Sequence, residues 1–306
     1  MRPGKHPELG SLSFGPGSQP AVRADRGRDR PFGPAVHGAY ESGVRGLPRW
    51  LLTALLGVSV VSPSVGIVAI PGLHSVFIPG LLCSARLYDS LVPVAWAYGA
   101  ATVADTRRDD SVGGMAARLL ADAPPRFVLV GLSMGGYVAH EIMRQAPDRV
   151  IGLALLSTSA RPNSAEQLAN WHSRRQAVLD GGFYDLVEGL FSVLPDPVNW
   201  ADDGLRQGWR LMAHDVGAEA CVSQIEAVMA RPDSRPGLTA ITCPTAVIHG
   251  TGDRAITPDN AAETADAIPG AVLTLVERAG HMLPQEQPAA ARAALTALLD
   301  RVMATS

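Results

Sequence analysis

The chain has 306 residues, of which 47% are hydrophobic and 18% charged, and its formal net charge is −3. That length allows one large domain or two small ones, and the apolar fraction is too high for a chain that is disordered throughout. Because the net charge is small and the basic residues form no long run beyond the N-terminal region, composition argues against nucleic-acid binding and favours a small-molecule partner.

The first 66 residues differ from the rest of the chain. Gly, Pro and Arg recur up to residue 50 with little periodic hydrophobicity, so we predict that residues 1–66 are a disordered tail ending in a short apolar segment. That segment, residues 50–61, resembles the apolar part of a signal peptide, but it lies far from Met1 and is shorter than the ~20 residues that span a bilayer. We therefore expect a cytoplasmic protein without membrane association. Export or anchoring through residues 50–61 is the alternative, and a start-site artefact is another.

From Ser75 onward, short apolar runs alternate with amphipathic segments. This alternation is typical of a mostly parallel sheet with helices on both faces. The predicted strands are residues 75–78, 101–104, 127–130, 151–156, 245–249 and 272–276. The clearest predicted helices are residues 134–145, 260–267 and 288–303. The pattern predicts a doubly wound α/β fold.

The alternation lapses between residues 156 and 245. Leu, Val, Trp and Met recur there at helical spacing, which predicts a helical cap over residues 161–235, inserted between two parts of a core formed by residues 73–160 and 236–306. An insertion after the carboxyl end of a strand lies over the crevice where open α/β sheets bind ligands, so the cap is expected to shape the substrate pocket. A helical subdomain that serves packing alone is the alternative.

The strongest chemical signal follows the third predicted strand. The run at residues 127–130 leads into Gly131, Leu132, Ser133, Met134 and Gly135 and then into a helix, which fits the nucleophile elbow G-x-S-x-G in its strand–turn–helix context. Side chains at Gly131 and Gly135 would collide with neighbouring backbone in so tight a turn. The helix that begins after the serine directs its N–H groups at the point of attack. Ser133 is the predicted nucleophile.

A serine nucleophile needs a histidine base, and that base needs a carboxylate behind it. In this type of fold the chain order is Ser, acid, His. His281 follows the last predicted strand and is the predicted base, and Asp253, in a Gly-rich turn after the penultimate strand, is the predicted acid. Asp105 and Glu277 are the rival carboxylates. His249 is interpreted as a structural residue at the end of a strand.

Acyl transfer also needs N–H donors for the oxyanion. The N–H of Met134 is one predicted donor, and the N–H of Leu81, in the loop after the first strand, is the other, since Gly80 lets this loop pass close to the site. Cys83 lies in the same loop without an apparent histidine partner and is expected to be a small buried thiol. The chain's three cysteines are widely spaced, which predicts neither a disulfide framework nor a metal site.

With these segments placed, the chain from Ser75 to about Met303 resembles the α/β-hydrolase superfamily. Four blocks carry the resemblance: VFIPGLLC, LVGLSMGGYVAHEIMRQAPDRVIGLALLSTSARP, VIHGTGDRAITP and ERAGHMLPQEQP. Members similar in style include bacterial carboxylesterases, enol-lactonases and pimeloyl-ester carboxylesterases, which use no metal and no cofactor. One departure is Pro79-Gly80, where many relatives have His-Gly; it leaves the N–H donor in place.

The resemblance implies a hydrolase of small-molecule esters or lactones. In that reading Ser133 attacks a carbonyl, His281 transfers protons, and the amides of Leu81 and Met134 hold the acyl-enzyme, with no metal or organic cofactor. The same fold also supports lactonases and carbon–carbon bond hydrolases, so the implied reaction class is acyl transfer. A receptor that keeps the pocket without turnover is the alternative from a different functional class.

Overall fold

The computed structural model describes residues 72–305, which form one six-stranded sheet in the order β2-β1-β3-β4-β5-β6. The strands are β1 (Leu73–Ile78), β2 (Gly99–Val103), β3 (Phe127–Leu132), β4 (Val150–Leu156), β5 (Thr245–Gly250) and β6 (Val272–Val276). Every neighbouring pair is parallel. The predicted mostly parallel sheet is confirmed, and the differences from the predicted strands are confined to strand ends.

The centre of the sheet is its most apolar part. Strands β3 and β5, which read FVLVGL and TAVIHG, are buried along their whole length. Continuous apolar runs of this kind form strands when helices cover both faces of a parallel sheet. The edge strand β2, GAATV, is small and only partly buried. The hydrophobic core therefore lies on both sides of the central strands.

The helices lie on both faces of the sheet. They are α1 (Val92–Trp96), α2 (Val112–Asp122), α3 (Met134–Gln145), α4 (Ala165–Leu179), α5 (Phe183–Phe191), α6 (Asp203–Met229), α7 (Pro258–Ala267), α8 (Leu283–Glu286) and α9 (Pro288–Thr305). Helices α1 and α9 pack on one face, and α2, α3 and α7 pack on the other. The predicted doubly wound architecture is confirmed. Predicted helix 134–145 is present unchanged, whereas α7 begins at Pro258 and α9 extends to Thr305.

Helices α4, α5 and α6 lie between β4 and β5 in the chain, and we call them the insert. The first begins with a capping box in which Ser164 and Gln167 satisfy each other's backbone N–H groups. The last bends at Gly217, whose φ of 80° is outside the helical range. Trp209 of α6 is buried and its indole N–H donates to the Val187 carbonyl at 2.8 Å, which ties α6 to α5. The helical content predicted for this stretch is thus observed.

The strand order places a topological switch point between β1 and β3. The chain leaves β1 for β2 on one side and then returns to β3 on the other. In open α/β sheets, ligands bind in the crevice outside the carboxyl ends of the strands at such a point. Leu81 and Ser133 follow β1 and β3 directly, so the sheet brings both segments to this crevice.

Within residues 72–305, no helix is both long and apolar enough to cross a membrane. The predicted tail and the apolar segment 50–61 lie outside the described residues. Disorder of that tail and export through its apolar segment therefore stay predictions.

Candidate active site

Ser133 lies at a strained turn between β3 and α3. Its φ of 53° and ψ of −115° fall in a region that residues with a side chain rarely adopt. Its N–H donates to the Leu156 carbonyl at 3.0 Å, and its carbonyl accepts from the Thr158 hydroxyl at 2.8 Å. The end of β4 and the loop after it hold this conformation, because both partners belong to that segment. Backbone strain of this kind is concentrated at functional sites.

The glycines around the serine are required by close backbone approach. A Cβ at Gly131 would overlap the carbonyl oxygen of Gly135, and a Cβ at Gly135 would overlap the carbonyl oxygen of Ile78. Gly80 faces the same turn, where a Cβ would lie 3.3 Å from the Leu132 carbonyl oxygen. The expected steric reason for the elbow glycines is therefore present.

His281 and Asp253 form a buried pair. The Nδ1 atom of His281 lies 2.8 Å from Oδ2 of Asp253. The other carboxylate oxygen, Oδ1, accepts the N–H groups of Ala255 and Ile256, each at 2.9 Å. A carboxylate only accepts, so Nδ1 carries the proton and Nε2 keeps its lone pair. This is the tautomer that a general base needs.

The pKa of Asp253 is set by opposing effects. Burial alone would raise the pKa, but electrostatic attraction to the His281 imidazole and the hydrogen bonds from His249 and His281 outweigh burial and lower the pKa to about 2. The carboxylate therefore stays ionised throughout the neutral range, as a group that orients an imidazole must.

His249 belongs to the same buried cluster, whereas the sequence indicated only a structural residue at the end of a strand. It is fully buried at the end of β5, with Nε2 2.8 Å from the Ile256 carbonyl oxygen and 3.3 Å from Oδ2 of Asp253. Because a carbonyl only accepts, Nε2 carries the proton and presents it to both oxygens. His249 thus supports the Asp253 carboxylate as well as the end of the strand. The available sequence signal was its position four residues before the aspartate.

Ser133 and His281 line one cavity of about 760 Å³ at the switch point. Within residues 72–305, no hydrogen bond joins the Ser133 hydroxyl to His281. Catalytic hydrogen bonds of this type often tighten only when substrate binds. The structure therefore brings all three predicted residues to one site and forms the histidine–aspartate link.

Two N–H groups near Ser133 are available as donors. Cys83 N–H donates to the Gly80 carbonyl at 3.1 Å, which closes a turn around Leu81. Across the described part of the chain, the N–H groups of Leu81 and Met134 have no hydrogen-bond partner. Leu81 also lines the cavity, and Met134 is the first residue of α3. These are the two donors that the sequence predicts, and their role as an oxyanion hole stays a prediction.

A side chain of the insert fixes the loop that carries Leu81. The N–H of Leu82, whose φ is 59°, donates to Oε1 of Gln224 at 2.9 Å. The amide nitrogen of Gln224 in turn donates to the Thr106 hydroxyl at 3.1 Å, and the Gln224 side chain is fully buried in α6. Sequence reasoning missed this residue, although a glutamine on a helix face of Cys, Ile and Val is a recognisable signal.

Glu286 holds the loop that carries His281. Its carboxylate accepts the N–H groups of the two residues that flank His281, at 3.0 Å each. It also accepts the Asp196 N–H at 2.7 Å and the Asn199 side chain at 2.8 Å. Burial raises the pKa of Glu286, and these hydrogen bonds partly oppose the rise. One carboxylate thus connects the histidine loop to the segment after α5.

Glu286→Ala is expected to destabilise the protein by about 2–4 kcal/mol, because it leaves several buried donors without an acceptor. It should also lower kcat for an ester substrate about tenfold or more with little change in KM, since the histidine loses its fixed position. Urea unfolding and steady-state kinetics measure the two effects. Glu277→Ala is the matched control, because Glu277 is an exposed carboxylate close to the same loop. Wild-type stability and kcat in Glu286→Ala would contradict the assigned role.

The two rival carboxylates, Asp105 and Glu277, do not contact His281 through a hydrogen bond or an ion pair. Asp105 forms an ion pair with Arg107 at 2.7 Å, and Glu277 accepts a threonine hydroxyl at 3.2 Å. Within residues 72–305, neither forms a hydrogen bond or ion pair with His281. Asp253 is therefore the candidate acid that the structure places beside the candidate base.

Cys83 is buried, as expected from the sequence, and burial raises the pKa of its thiol to about 12. It is accordingly a protonated thiol and a poor nucleophile at neutral pH. The three cysteines are free, and the part of the chain that the structure describes contains no cluster of His, Cys, Asp or Glu side chains able to hold a metal ion.

The fold and the site define a class of doubly wound α/β proteins with a serine at a strand-to-helix turn and a buried histidine–aspartate pair at the switch point. Residues 36–295 match the sequence model described as "Alpha/beta hydrolase family". The chain belongs to the alpha/beta hydrolase family, which confirms the resemblance found in its sequence.

Individual relatives are hydrolases. The chain is 31% identical over 170 residues to the pimeloyl-[acyl-carrier protein] methyl ester esterase of Chromobacterium violaceum; the match spans 53% of this chain and 66% of that relative, just under two thirds of its length. It is similar to the solved structure of a thermophilic esterase from Thermogutta terrifontis with malate bound, at 26% identity and a TM-score of 0.68, covering 76% of this chain and 90% of that one. The enol-lactonase from Burkholderia xenovorans LB400 shares the fold at 24% identity and a TM-score of 0.69, covering 75% and 92%.

Proposed function

We propose that this protein is a serine hydrolase that cleaves a carboxylic ester through an acyl-enzyme intermediate. The observation that carries the proposal is the strained Ser133 on the wall of the cavity that also holds the buried His281–Asp253 pair. The relatives that are named esterases support the same chemistry.

In the first half of the proposed reaction, Ser133 attacks the ester carbonyl carbon. The lone pair on Nε2 of His281 takes the hydroxyl proton, and the Asp253 carboxylate stabilises the resulting imidazolium. The carbonyl oxygen becomes an oxyanion that accepts the N–H groups of Leu81 and Met134. Collapse of this intermediate breaks the ester bond, and the leaving alcohol takes the proton from His281. The product is an ester of Ser133 with the acyl group.

In the second half, water replaces the alcohol. His281 removes a proton from the water as its oxygen attacks the acyl carbon, and the same two N–H groups again stabilise the oxyanion. Collapse of the second intermediate releases the carboxylic acid, and His281 returns the proton to the oxygen of Ser133. The residues of the chain supply every proton transfer in this scheme, which uses no cofactor.

We propose that the insert acts as the cap, within the boundaries 161–235. Its Trp171, Leu190 and Trp209 line the cavity together with polar groups of the core. An apolar wall with a few polar groups is typical of pockets that bind small organic molecules. The insert would then select substrates, while the core would carry the chemistry.

Release of p-nitrophenol from acetate, butyrate and octanoate esters, combined with labelling by a fluorophosphonate, tests the proposal. The wild type should turn over at least one ester and be labelled at Ser133, and Ser133→Ala should do neither. Labelling without ester turnover would shift the assignment to a lactonase or a carbon–carbon bond hydrolase. A folded protein with neither reaction would overturn the enzyme assignment in favour of a receptor.

A further inference from the structure

The cavity beside Ser133 is lined by five arginines and one glutamate. The arginines are Arg161, Arg174, Arg231, Arg235 and Arg254. Two of them, Arg161 and Arg235, have their charge paired by carboxylates of Asp259, Glu263 and Asp233. Within residues 72–305, the other three have no carboxylate oxygen within 4.0 Å. Three guanidinium groups of the cavity wall therefore lack a carboxylate partner.

Arg231 is the most deeply placed of the three. It follows the end of α6 with only 9% of its surface exposed. Its Nε donates to the Arg161 carbonyl at 3.2 Å, and Nη1 donates to Oδ1 of Asn163 and to the Val228 carbonyl. The described residues provide no acceptor for Nη2. One end of a buried guanidinium is thus left with both of its N–H groups unused.

The position of Arg231 relates it to the reacting serine. Its guanidinium lies over the ring of Tyr137, 4.5 Å from the ring centroid. Tyr137 lies in α3, the helix that follows Ser133, and its N–H donates to the Ser133 carbonyl at 3.3 Å. Both residues line the cavity with Ser133. The unpaired guanidinium therefore lies in the same chamber as the nucleophile.

A buried charge without a counter-ion is costly, and burial lowers the pKa of the Arg231 guanidinium. Hydrogen bonds to neutral oxygens and the contact with the tyrosine ring offset part of that cost. An arginine that served packing alone would be better satisfied by a carboxylate or replaced by an apolar side chain. The missing negative charge is what a ligand would supply.

The two other unpaired arginines add to the same field. Arg174 and Arg254 lie over the rings of Trp171 and Trp200, each 4.8 Å from the ring centroid. These contacts restrict two long cationic side chains around the cavity. Glu166, the acidic lining residue, is exposed at the first turn of α4, where water screens it. Guanidinium groups that face a cavity without a carboxylate partner favour anionic ligands.

We propose that the ester substrate carries a free carboxylate, and that Arg231 binds this group while Ser133 attacks the ester at the other end. The inference rests on the proposed ester hydrolysis and names its substrate class, monoesters of dicarboxylic acids. A carboxylate fits better than a phosphate monoester because Arg231 is the buried one of the three unpaired arginines, and its single open nitrogen can pair with one carboxylate oxygen. A phosphate dianion is best bound by several donors.

The test compares monomethyl with dimethyl esters of dicarboxylic acids from succinate to suberate, with methanol release as the readout. Each pair differs in the free carboxylate and has the same chain. The wild type is expected to prefer the monoester in kcat/KM by about tenfold or more at one chain length, which is the usual scale for a hydrogen bond to a charged group. A methyl ester that carries a phosphonate, and an acetate ester whose alcohol carries the carboxylate, should be poorer substrates than the best monoester.

The Arg231→Met variant tests whether Arg231 causes the preference for the monoester. The monoester-to-diester ratio should fall to about one in this variant, because methionine fills similar volume without charge. Arg235→Met is the matched control: its charge is already paired by Asp233 at 2.6 Å, so the wild-type ratio should remain. If Arg231→Met fails to fold, Arg174→Met gives a second variant, in α4. Its monoester-to-diester ratio should fall a few-fold.

Each outcome decides a different point. Hydrolysis of diesters without preference for any monoester would overturn the carboxylate inference and leave the ester-hydrolase proposal intact, with Arg231 as a clamp between α6 and residues 161–163. A preference for the monoester that survives in both Arg231→Met and Arg174→Met would also overturn the carboxylate inference. A preference for the phosphonate ester would overturn the carboxylate inference and indicate a substrate with a phosphate group instead. Failure to hydrolyse any ester, together with no fluorophosphonate labelling, would instead remove the proposed function itself.

Discussion

Replacing Ser133 by alanine should lower kcat/KM for a good ester by about 10⁴-fold or more, and His281→Ala should cost about as much. The two groups act as one unit, since a serine hydroxyl is a weak nucleophile without its base and the base has no role without the hydroxyl. The double variant should therefore be no worse than either single variant. Non-additivity of this kind tests directly whether Ser133 and His281 act together. The test is needed because the structure shows no hydrogen bond between these two side chains.

Steady-state hydrolysis of one activated ester measures this cycle, with each variant's folding checked by its urea midpoint. His172→Ala, which changes an exposed histidine of α4, is the matched control and should keep wild-type kinetics. Losses that add in the double variant would show that the two residues act independently and would remove His281 from its proposed role.

Asp253→Asn should lower kcat by about 10⁴-fold while leaving the fold intact. The asparagine amide can donate to Nδ1 of His281, which would move the imidazole proton to Nε2 and remove the lone pair that accepts the serine proton. KM should change little, because the carboxylate lies behind the histidine and does not line the cavity. Asp105→Asn, at the exposed rival carboxylate, is the control and should be nearly neutral. Comparable activity in Asp253→Asn and the wild type would contradict this orienting role.

The same substitution should change how stability depends on pH. The folded pKa of Asp253 is about 2 against an ordinary value of 3.8, so ionisation stabilises the folded state above pH ~4, and this contribution is lost as pH falls towards 2. It amounts to roughly 2 kcal/mol at neutral pH and decreases as pH falls below about 4. The difference in unfolding free energy between wild type and Asp253→Asn should shrink accordingly between pH 7 and pH 3. Glu286, whose pKa is raised, contributes in the opposite direction and cancels between the two proteins.

Several parts of the site could be predicted because they depend on local sequence. Five consecutive residues identify the elbow, because the turn around Ser133 excludes a Cβ at Gly131 and Gly135. Asp253 and His281 follow strands whose apolar runs are clear, and parallel strands bring their carboxyl ends to one edge. Strand ends were less predictable. β1 begins with Leu73 and His74 and β2 with the small residues Gly99 and Ala100, and these four residues pair with one another across the sheet.

The parts that sequence reasoning missed depend on contacts between distant segments. Glu286 reaches back to Asp196 and Asn199, and Gln224 joins Leu82 to Thr106. A polar residue on an apolar helix face can mark Gln224 as unusual, but no local pattern names the partners of these residues, because those partners are defined only once the insert is packed on the core. The same holds for Arg231, whose sequence position next to the end of a long helix gives no sign of burial without a carboxylate.

The buried Gln224 has a consequence for how the specificity of this protein can change. One side chain of α6 fixes the turn beside the proposed oxyanion donor, so in the proposed reaction the longest helix of the insert contributes to the position of that donor as well as to the pocket wall. Exchanging the whole insert with that of a relative would then lower turnover for every substrate, old or new. Directed evolution of specificity should accordingly accept changes on α4 and α5 early, and changes around Gln224 only together with a new acceptor for the Leu82 N–H.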